Sequence, residues 1–459
     1  MPASTTPSPP GQGPADLVAR VNRRLAEGQV QEAYADVLLA FRQQPAPVLA
    51  DLLVNAATVG ERWEEALTVL ADLGSLFQPH HLARCEGVLA LGAGYLDQAQ
   101  RCAERLMSLP DRPDTGMALM VAIAGRQADP AAQLHWMRQR ERGLTQIPLS
   151  LLPPRWEIQC LLGQHEQVLA EITRLVRAVP AGQVAVHHLL KLQQAMALHG
   201  GLRFAESTAI ALSLASHLTA HQAPVGDKAM TARINTRRRQ SRILAVIERL
   251  VLTRGLPVVI HAGTLLGLAR DGDLLPGDQD IDLAVMPPAT SAQVAETLVS
   301  TGDFRPQPHG VDSGGFRALV HQPTGLTVDI TEYGREGERF VSRWRHPSGV
   351  ILREATVPAF TSRLVDVPAL GRRLPQPDDP AALLSATYGD WRTPDPCFDT
   401  LVAAPNLRGF TAYLGSVAAI RLADNLMAGR TDMARHLAQR LAAHGLARDI
   451  AARLTGDGT

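Results

Sequence analysis

A chain of 459 residues is long enough for two or three domains and a sizeable core. Its 45 basic and 45 acidic residues give a formal net charge of +0, which excludes bulk attraction to nucleic acid or to an acidic membrane. Four scattered cysteines (Cys85, Cys102, Cys160 and Cys397) exclude a disulfide scaffold and suit a reducing compartment, and no apolar run is long enough for a membrane span.

The opening MPASTTPSPPGQGPAD lacks the apolar core of a secretory leader. The expectation is a soluble cytoplasmic protein, with peripheral contact at the inner face of the membrane left open. Residues 1–14, rich in Pro, Ser, Thr and Gly, read as a disordered tail.

From residue 15 to about 224 the chain becomes rich in Ala and Leu, and a unit recurs. It reads Gly28-Gln-Val-Gln-Glu-Ala33, Gly60-Glu-Arg-Trp-Glu-Glu-Ala66 and Gly94-Tyr-Leu-Asp-Gln-Ala99, with weaker copies from Gly125, Gly163 and Gly201. Glycine ends one helix, a polar turn follows, and a small Ala lets the next helix pack close. Pro110, Pro130 and Pro180 fall where helices would stop. The period resembles that of tetratricopeptide-type helix pairs, and the expectation is an α-solenoid of about six pairs. Its surface would serve either a protein or glycan partner or the orientation of a second domain. Trp63, Trp136 and Trp156 read as core.

Residues 225–234 read as a polar linker. Asn235 to Arg254 then reads as an amphipathic helix with Ile243, Leu244, Ile247, Leu250 and Val251 on one face. Arg237, Arg238 and Arg239 at its start suit either a solvated face or a phosphate.

The apolar run Val258-Val259-Ile260 reads as a short buried strand, broken by Gly263-Thr264, with Leu265, Leu266 and Leu268 in a helical turn. His261 reads as a hydrogen-bonded core residue. After a loop punctuated by Gly272, Pro276 and Gly277 comes Asp278-Gln-Asp280-Ile-Asp282-Leu-Ala-Val285, a second strand. Residues two apart on a strand share a face, so Asp280 and Asp282 stand roughly 6–7 Å apart at Cα while Ile281 and Leu283 face the core. Paired carboxylates repel unless a cation lies between them, and Mg²⁺ or Mn²⁺ fits such oxygen ligands.

Ser291 to Thr301 reads as helix, and Phe316 to His321 and Leu326 to Thr331 as two strands about the turn Gln322-Pro-Thr-Gly325. Thr327, Asp329 and Thr331 share one face of the second strand. Residues 340–375 read as further strands and loops, Asp379 to Tyr388 as a short helix ending at Gly389, and the chain from Leu401 as helix.

Gly263-Thr264-Leu265-Leu266-Gly267, Arg270, Pro276, the alternating aspartates, Leu326-Thr-Val-Asp329-Ile330 and Tyr388-Gly389-Asp390-Trp391-Arg392-Thr393-Pro394 together resemble the LicD/fukutin-like phosphotransferase family. Gly277 stands where that family usually has an aromatic residue. The resemblance covers about residues 240–400 and implies a nucleotidyltransferase-like mixed-sheet domain. It also implies that Asp329 lies beside Asp280 and Asp282, and that the three hold one or two Mg²⁺ (or Mn²⁺) ions.

The organisation expected is therefore multidomain, α plus α+β: a tail (1–14), tetratricopeptide-like repeats (15–224), a LicD-like catalytic domain (225–400) and a C-terminal helical segment (401–459). In the catalytic domain the Gly263 backbone, the Thr264 hydroxyl and Arg270 are candidates for phosphate contact, Arg270 alternatively pairing with Asp271 or Asp273. Asp278 is an orienting or a turn residue, and Tyr388 and Trp391 close the domain. The implied reaction moves a phosphorylated alcohol, of phosphocholine or polyol phosphate type, from a cytidine diphosphate donor to a hydroxyl of a cell-surface glycan. Asp329 is also the candidate base. Nucleotidyl transfer, or an adaptor carrying an inactive module, are the alternatives.

Overall fold

The computed structural model describes residues 14–73, 76–110, 113–145, 147–221, 236–276, 278–307 and 313–455. The expected linker at 225–234, Gly277 and the expected tail up to residue 13 lie outside the described residues. The described residues up to 123, with 236–239, form one compact unit, and those at 124–221 with 240–455 form another. No helix among the described residues is long and apolar enough to cross a membrane.

The N-terminal part is a run of helices, consistent with a helical repeat region. Gly28 lies between Pro14–Ala26 and Val30–Gln43, Gly60 ends Pro47–Gly60 ahead of Trp63–Leu73, and Gly94 joins Pro79–Ala93 to Leu96–Met107. Gly28 and Gly94 have φ of 77° and 85°, a left-handed turn that a Cβ would resist. Ala33, Ala66 and Ala99 are fully buried, so the small side chain does set how closely the second helix packs. Pro130 departs from its reading: it opens Pro130–Arg142, where Asp129 accepts from the Ala132 N–H at 2.8 Å. Proline in a first turn forfeits no helical hydrogen bond, so it starts a helix as readily as it stops one. Trp63 and Trp156 are buried, and Trp136 is half-buried.

At the start of Arg237–Arg254, Arg238 donates to the Glu61 carbonyl at 2.8 Å and Arg239 pairs with the buried Glu61 carboxylate. The Arg239 guanidinium also lies 5.6 Å from the Trp63 ring centroid. Two of the three crowded arginines are thus committed to the first unit's own glutamate.

The second unit contains a mixed five-stranded sheet: β1 (Val258–Ile260), β2 (Asp280–Val285), β3 (Phe304–Pro306), β4 (Phe316–His321) and β5 (Thr327–Glu332), in the order β1-β2-β5-β4-β3. The period of two sorts its faces. Ile281, Leu283, Val328 and Ile330 are fully buried and pack with Ile243, Leu244, Ile247 and Leu250. A three-stranded sheet follows, β6 (Gly334–Glu336), β7 (Arg339–Arg345) and β8 (Ile351–Pro358), and then the hairpin β9 (Ser362–Val367) and β10 (Arg372–Pro377). The helix Pro380–Tyr388 is capped by Asp379, whose carboxylate accepts from Ala382 N–H at 2.9 Å, and it ends at Gly389.

Helices also complete this unit. Leu192, Leu214 and Leu218, from Val184–Gly200 and Phe204–His221, share a core with Leu414 and Leu422 of Ala412–Met427 and with Leu437, Leu441 and Ile450 beyond it. Inside the seam Ser416 Oγ donates to Ser207 Oγ at 2.8 Å, and Ser207 Oγ is 2.7 Å from the Ala195 carbonyl. His199 Nδ1 lies 2.8 Å from Ser416 Oγ.

Candidate functional site

Parallel pairing of β2 with β5 sets Asp282 opposite Asp329, and Asp280 opposite Thr327. Side-chain alternation then puts all three carboxylates on the face away from the apolar core. The loop before β2 adds Asp278, and oxygens of Asp278, Asp280 and Asp282 lie within 4.8 Å of one another. Asp278 therefore joins the cluster itself, a finer role than either one read from the sequence.

The backbone beneath is fastened at several points. Asp282 N–H donates to Thr264 Oγ1 at 3.0 Å, and Thr264 N–H donates to Asp282 Oδ2 at 3.3 Å. His261 N–H donates to the Asp282 carbonyl at 3.0 Å, and the buried Gln240 amide donates to the Asp280 carbonyl at 3.0 Å. A Cβ on Gly263 would stand 3.2 Å from an Asp278 oxygen and 3.3 Å from an Asp282 oxygen, close enough to press on both carboxylates. Ala262 beside it has φ of 40°, a strained left-handed backbone on the wall of the site.

Burial raises the Asp282 pKa well above the ordinary carboxyl value, and Asp280, Asp329 and Asp278 add to the rise. Asp329 is pushed from 3.8 to about 7, by burial first and Asp280 second. Such a set, all oxygen and mutually repelling, has the chemistry of ligands for a hard divalent cation.

These aspartates line a cavity of about 500 Å³ that extends well beyond them. Gly263 is on its wall, whereas Thr264 is fully buried beneath, and Arg270 forks onto Asp271 with both contacts at 3.1 Å. The structure thus brings Asp280, Asp282, Asp329 and Gly263 together on the cavity, with Thr264 supporting Asp282 from below and Arg270 away from the wall. His261 is buried, with Nε2 3.1 Å from the Tyr333 hydroxyl; burial and Arg353 hold its pKa down at about 4, so it is neutral. Tyr388 lines the cavity and burial holds its phenol strongly protonated, while Trp391 packs below with Nε1 3.2 Å from Ser385 Oγ.

The cavity is also lined by residues that the sequence reading passed over: Trp344, Arg353, Asn406 and the ion pair of Arg421 with Asp399. One signal for Arg353 was present. In Arg353-Glu-Ala355-Thr-Val357, alternation places a cation on the same strand face as two apolar residues, and all three are buried.

In the first unit, ligand atoms of Asp51, His81 and Cys85 also cluster within 4.8 Å. There the Arg84 guanidinium already pairs with Asp51 and lies 3.4 Å from His81 Nε2 and 3.9 Å from Cys85 Sγ, so a cation already occupies the cluster.

Residues 255–379 match the LicD/FKTN/FKRP nucleotidyltransferase domain, and the chain carries that domain there. No curated protein matches the chain.

Proposed function

We propose that the second unit is a metal-dependent phosphotransferase, acting within a catalytic segment at about residues 225–400. The observation that carries this reading is the register of Asp282 opposite Asp329, with Asp278 and Asp280 joining them on a roomy cavity inside a LicD-type domain. The aspartates would hold Mg²⁺ or Mn²⁺. Bound there, such an ion would supply neutralisation of a diphosphate and of the departing nucleotide. The chain's own contribution is position and proton handling. Gly263 lets backbone and substrate approach the carboxylates, and Thr264 fixes Asp282. Asp329, on the cavity beside Asp282, is placed to accept the proton of an attacking hydroxyl.

The substrate classes are a cytidine diphosphate alcohol, of phosphocholine or polyol phosphate type, and a glycan hydroxyl. The experiment is product analysis with such a donor, Mg²⁺ and a glycan acceptor. Release of CMP, with the phosphorylated alcohol on the glycan by mass spectrometry, is expected. The domain's nucleotidyltransferase description favours a second reading, in which a nucleoside triphosphate donor loses pyrophosphate and the nucleotide stays on the acceptor. That product would replace the first reading with the second. Mg²⁺ binding without turnover on any donor would favour a repeat-bearing adaptor.

A further inference from the structure

The aspartate wall accounts for a cation, but the cavity also holds a buried cation of its own. Arg353 on β8 is 8% exposed and burial lowers its pKa; among the described residues no carboxylate forms an ion pair with it, and Asp399 acts on it without one. Its Nη2 donates to the Thr400 carbonyl at 3.3 Å, while its buried Nε finds no hydrogen-bond partner. Trp344 is its cross-strand neighbour, with the guanidinium 5.2 Å from the ring centroid. The Trp344 indole N–H is likewise buried without a partner, and both residues line the cavity.

Buried donors in native proteins are nearly always satisfied, and a buried guanidinium without a counter-charge is costly. A buried guanidinium and an indole on neighbouring strands, each with an unpartnered N–H just behind the cavity lining, describe a place for an acceptor-rich anion. The other arginine lining the cavity, Arg421, is already paired with Asp399.

We propose that Arg353, with the Trp344 N–H beside it, is the anion subsite of this cavity and takes phosphate oxygens of a phosphorylated substrate. It rests on the transferase reading only for naming the anion as phosphate. The aspartates would hold the metal-binding end of such a ligand and Arg353 its other anionic face. Guanidinium suits this position because its planar fork matches phosphate geometry and its charge persists when desolvated.

The test uses the full chain and inorganic pyrophosphate, with and without Mg²⁺, read by calorimetry and by thermal unfolding. Arg353→Met should unfold at or above the parent temperature without ligand, because it removes a buried charge that no ion pair neutralises. It should also lose the pyrophosphate-induced shift. Arg353→Lys, which keeps charge without the fork, should bind pyrophosphate roughly tenfold more weakly or worse. Undiminished binding by either variant, or no binding by the parent, would overturn the assignment. Failure of both variants to fold would mark Arg353 as structural and overturn it too. Separately, Asp280→Asn should lose the Mg²⁺ enhancement of binding. If Mg²⁺ does nothing in the parent while the Arg353 variants still lose pyrophosphate, the metal-dependent reading fails and the subsite stands.

Discussion

Crowding four carboxylates onto one wall sets opposing demands on single residues. Asp282 and Asp329 are stripped of water and face like charges, so ionising them in the folded chain is unfavourable. A carboxyl whose pKa is raised on folding stabilises the fold fully below its unfolded value and loses that contribution as pH rises through the folded value. For Asp329 the window runs from 3.8 to about 7. In the presence of chelator, Asp329→Asn should therefore gain on the parent as pH rises through that window and hold its advantage above it. Melting curves by circular dichroism across the range read this directly, and a difference independent of pH would contradict it. Mg²⁺ should reverse the ranking: it should raise the melting temperature of the parent and leave Asp280→Asn and Asp282→Asn nearly unmoved, since only the parent keeps the full set. Equal shifts in all three would remove the cation assignment.

The unit that sets this geometry at the scale of elements is strand, turn and helix. β1 enters, the chain turns at Ala262 and Gly263, and the helix Ala262–Arg270 packs on the loop that delivers Asp278. Gly267 is the contact point. A Cβ there would lie 2.7 Å from the Asp273 carbonyl oxygen and 2.8 Å from the Leu275 nitrogen, both backbone. Glycine to alanine inside a helix ordinarily gains up to about 1 kcal/mol. Forcing backbone apart costs about 1–3 kcal/mol, so the clash should win. Gly267→Ala should lower the melting temperature and also weaken the Mg²⁺-induced shift, because the displaced loop carries Asp278. A stabilised variant with an unchanged Mg²⁺ response would refute that coupling. These elements were largely legible. Alternation of Asp280-Ile281-Asp282-Leu283 and of Thr327-Val328-Asp329-Ile330 specifies two faces by local sterics alone, and the turn at Gln322 to Gly325 follows from its residues. What alternation cannot specify is the partner of a strand. The parallel pairing of β2 with β5 is non-local, and only the family resemblance pointed to it. The place of Thr264 is non-local too: its hydroxyl accepts from Asp282 N–H on β2, and it lies buried beneath the wall.

At the scale of the molecule, the cavity is built from more chain than the family domain spans. The match covers residues 255–379, yet Thr387, Tyr388, Phe398, Asp399, Thr400, Asn406 and Arg421 also line the cavity. Tyr388 was marked by the family-like closing segment, but Phe398 to Thr400, Asn406 and Arg421 carry no motif, and only packing brings them to the cavity. Its support comes from helices. Arg421 belongs to Ala412–Met427, which is buried against Phe204–His221 through Leu214, Leu218, Leu414 and Leu422, with the Ser207–Ser416 hydrogen bond inside the seam. The helix Phe204–His221 thus holds in place the helix that supplies one side of the site. Leu214, fully buried in that seam, gives the test. Leu214→Ala should cost about 2–5 kcal/mol through lost transfer energy and the cavity left behind. If the seam and the site belong to one cooperative unit, the loss should appear in the same thermal transition that Mg²⁺ and pyrophosphate shift. Activity should fall at temperatures below that transition, as Ala412–Met427 loosens and Arg421 leaves Asp399. Calorimetric scans of parent and variant, each with and without ligand, separate the outcomes. An early, ligand-insensitive transition in Leu214→Ala, followed by an unshifted ligand-responsive one, would show that these helices melt apart from the site and contribute nothing to its wall.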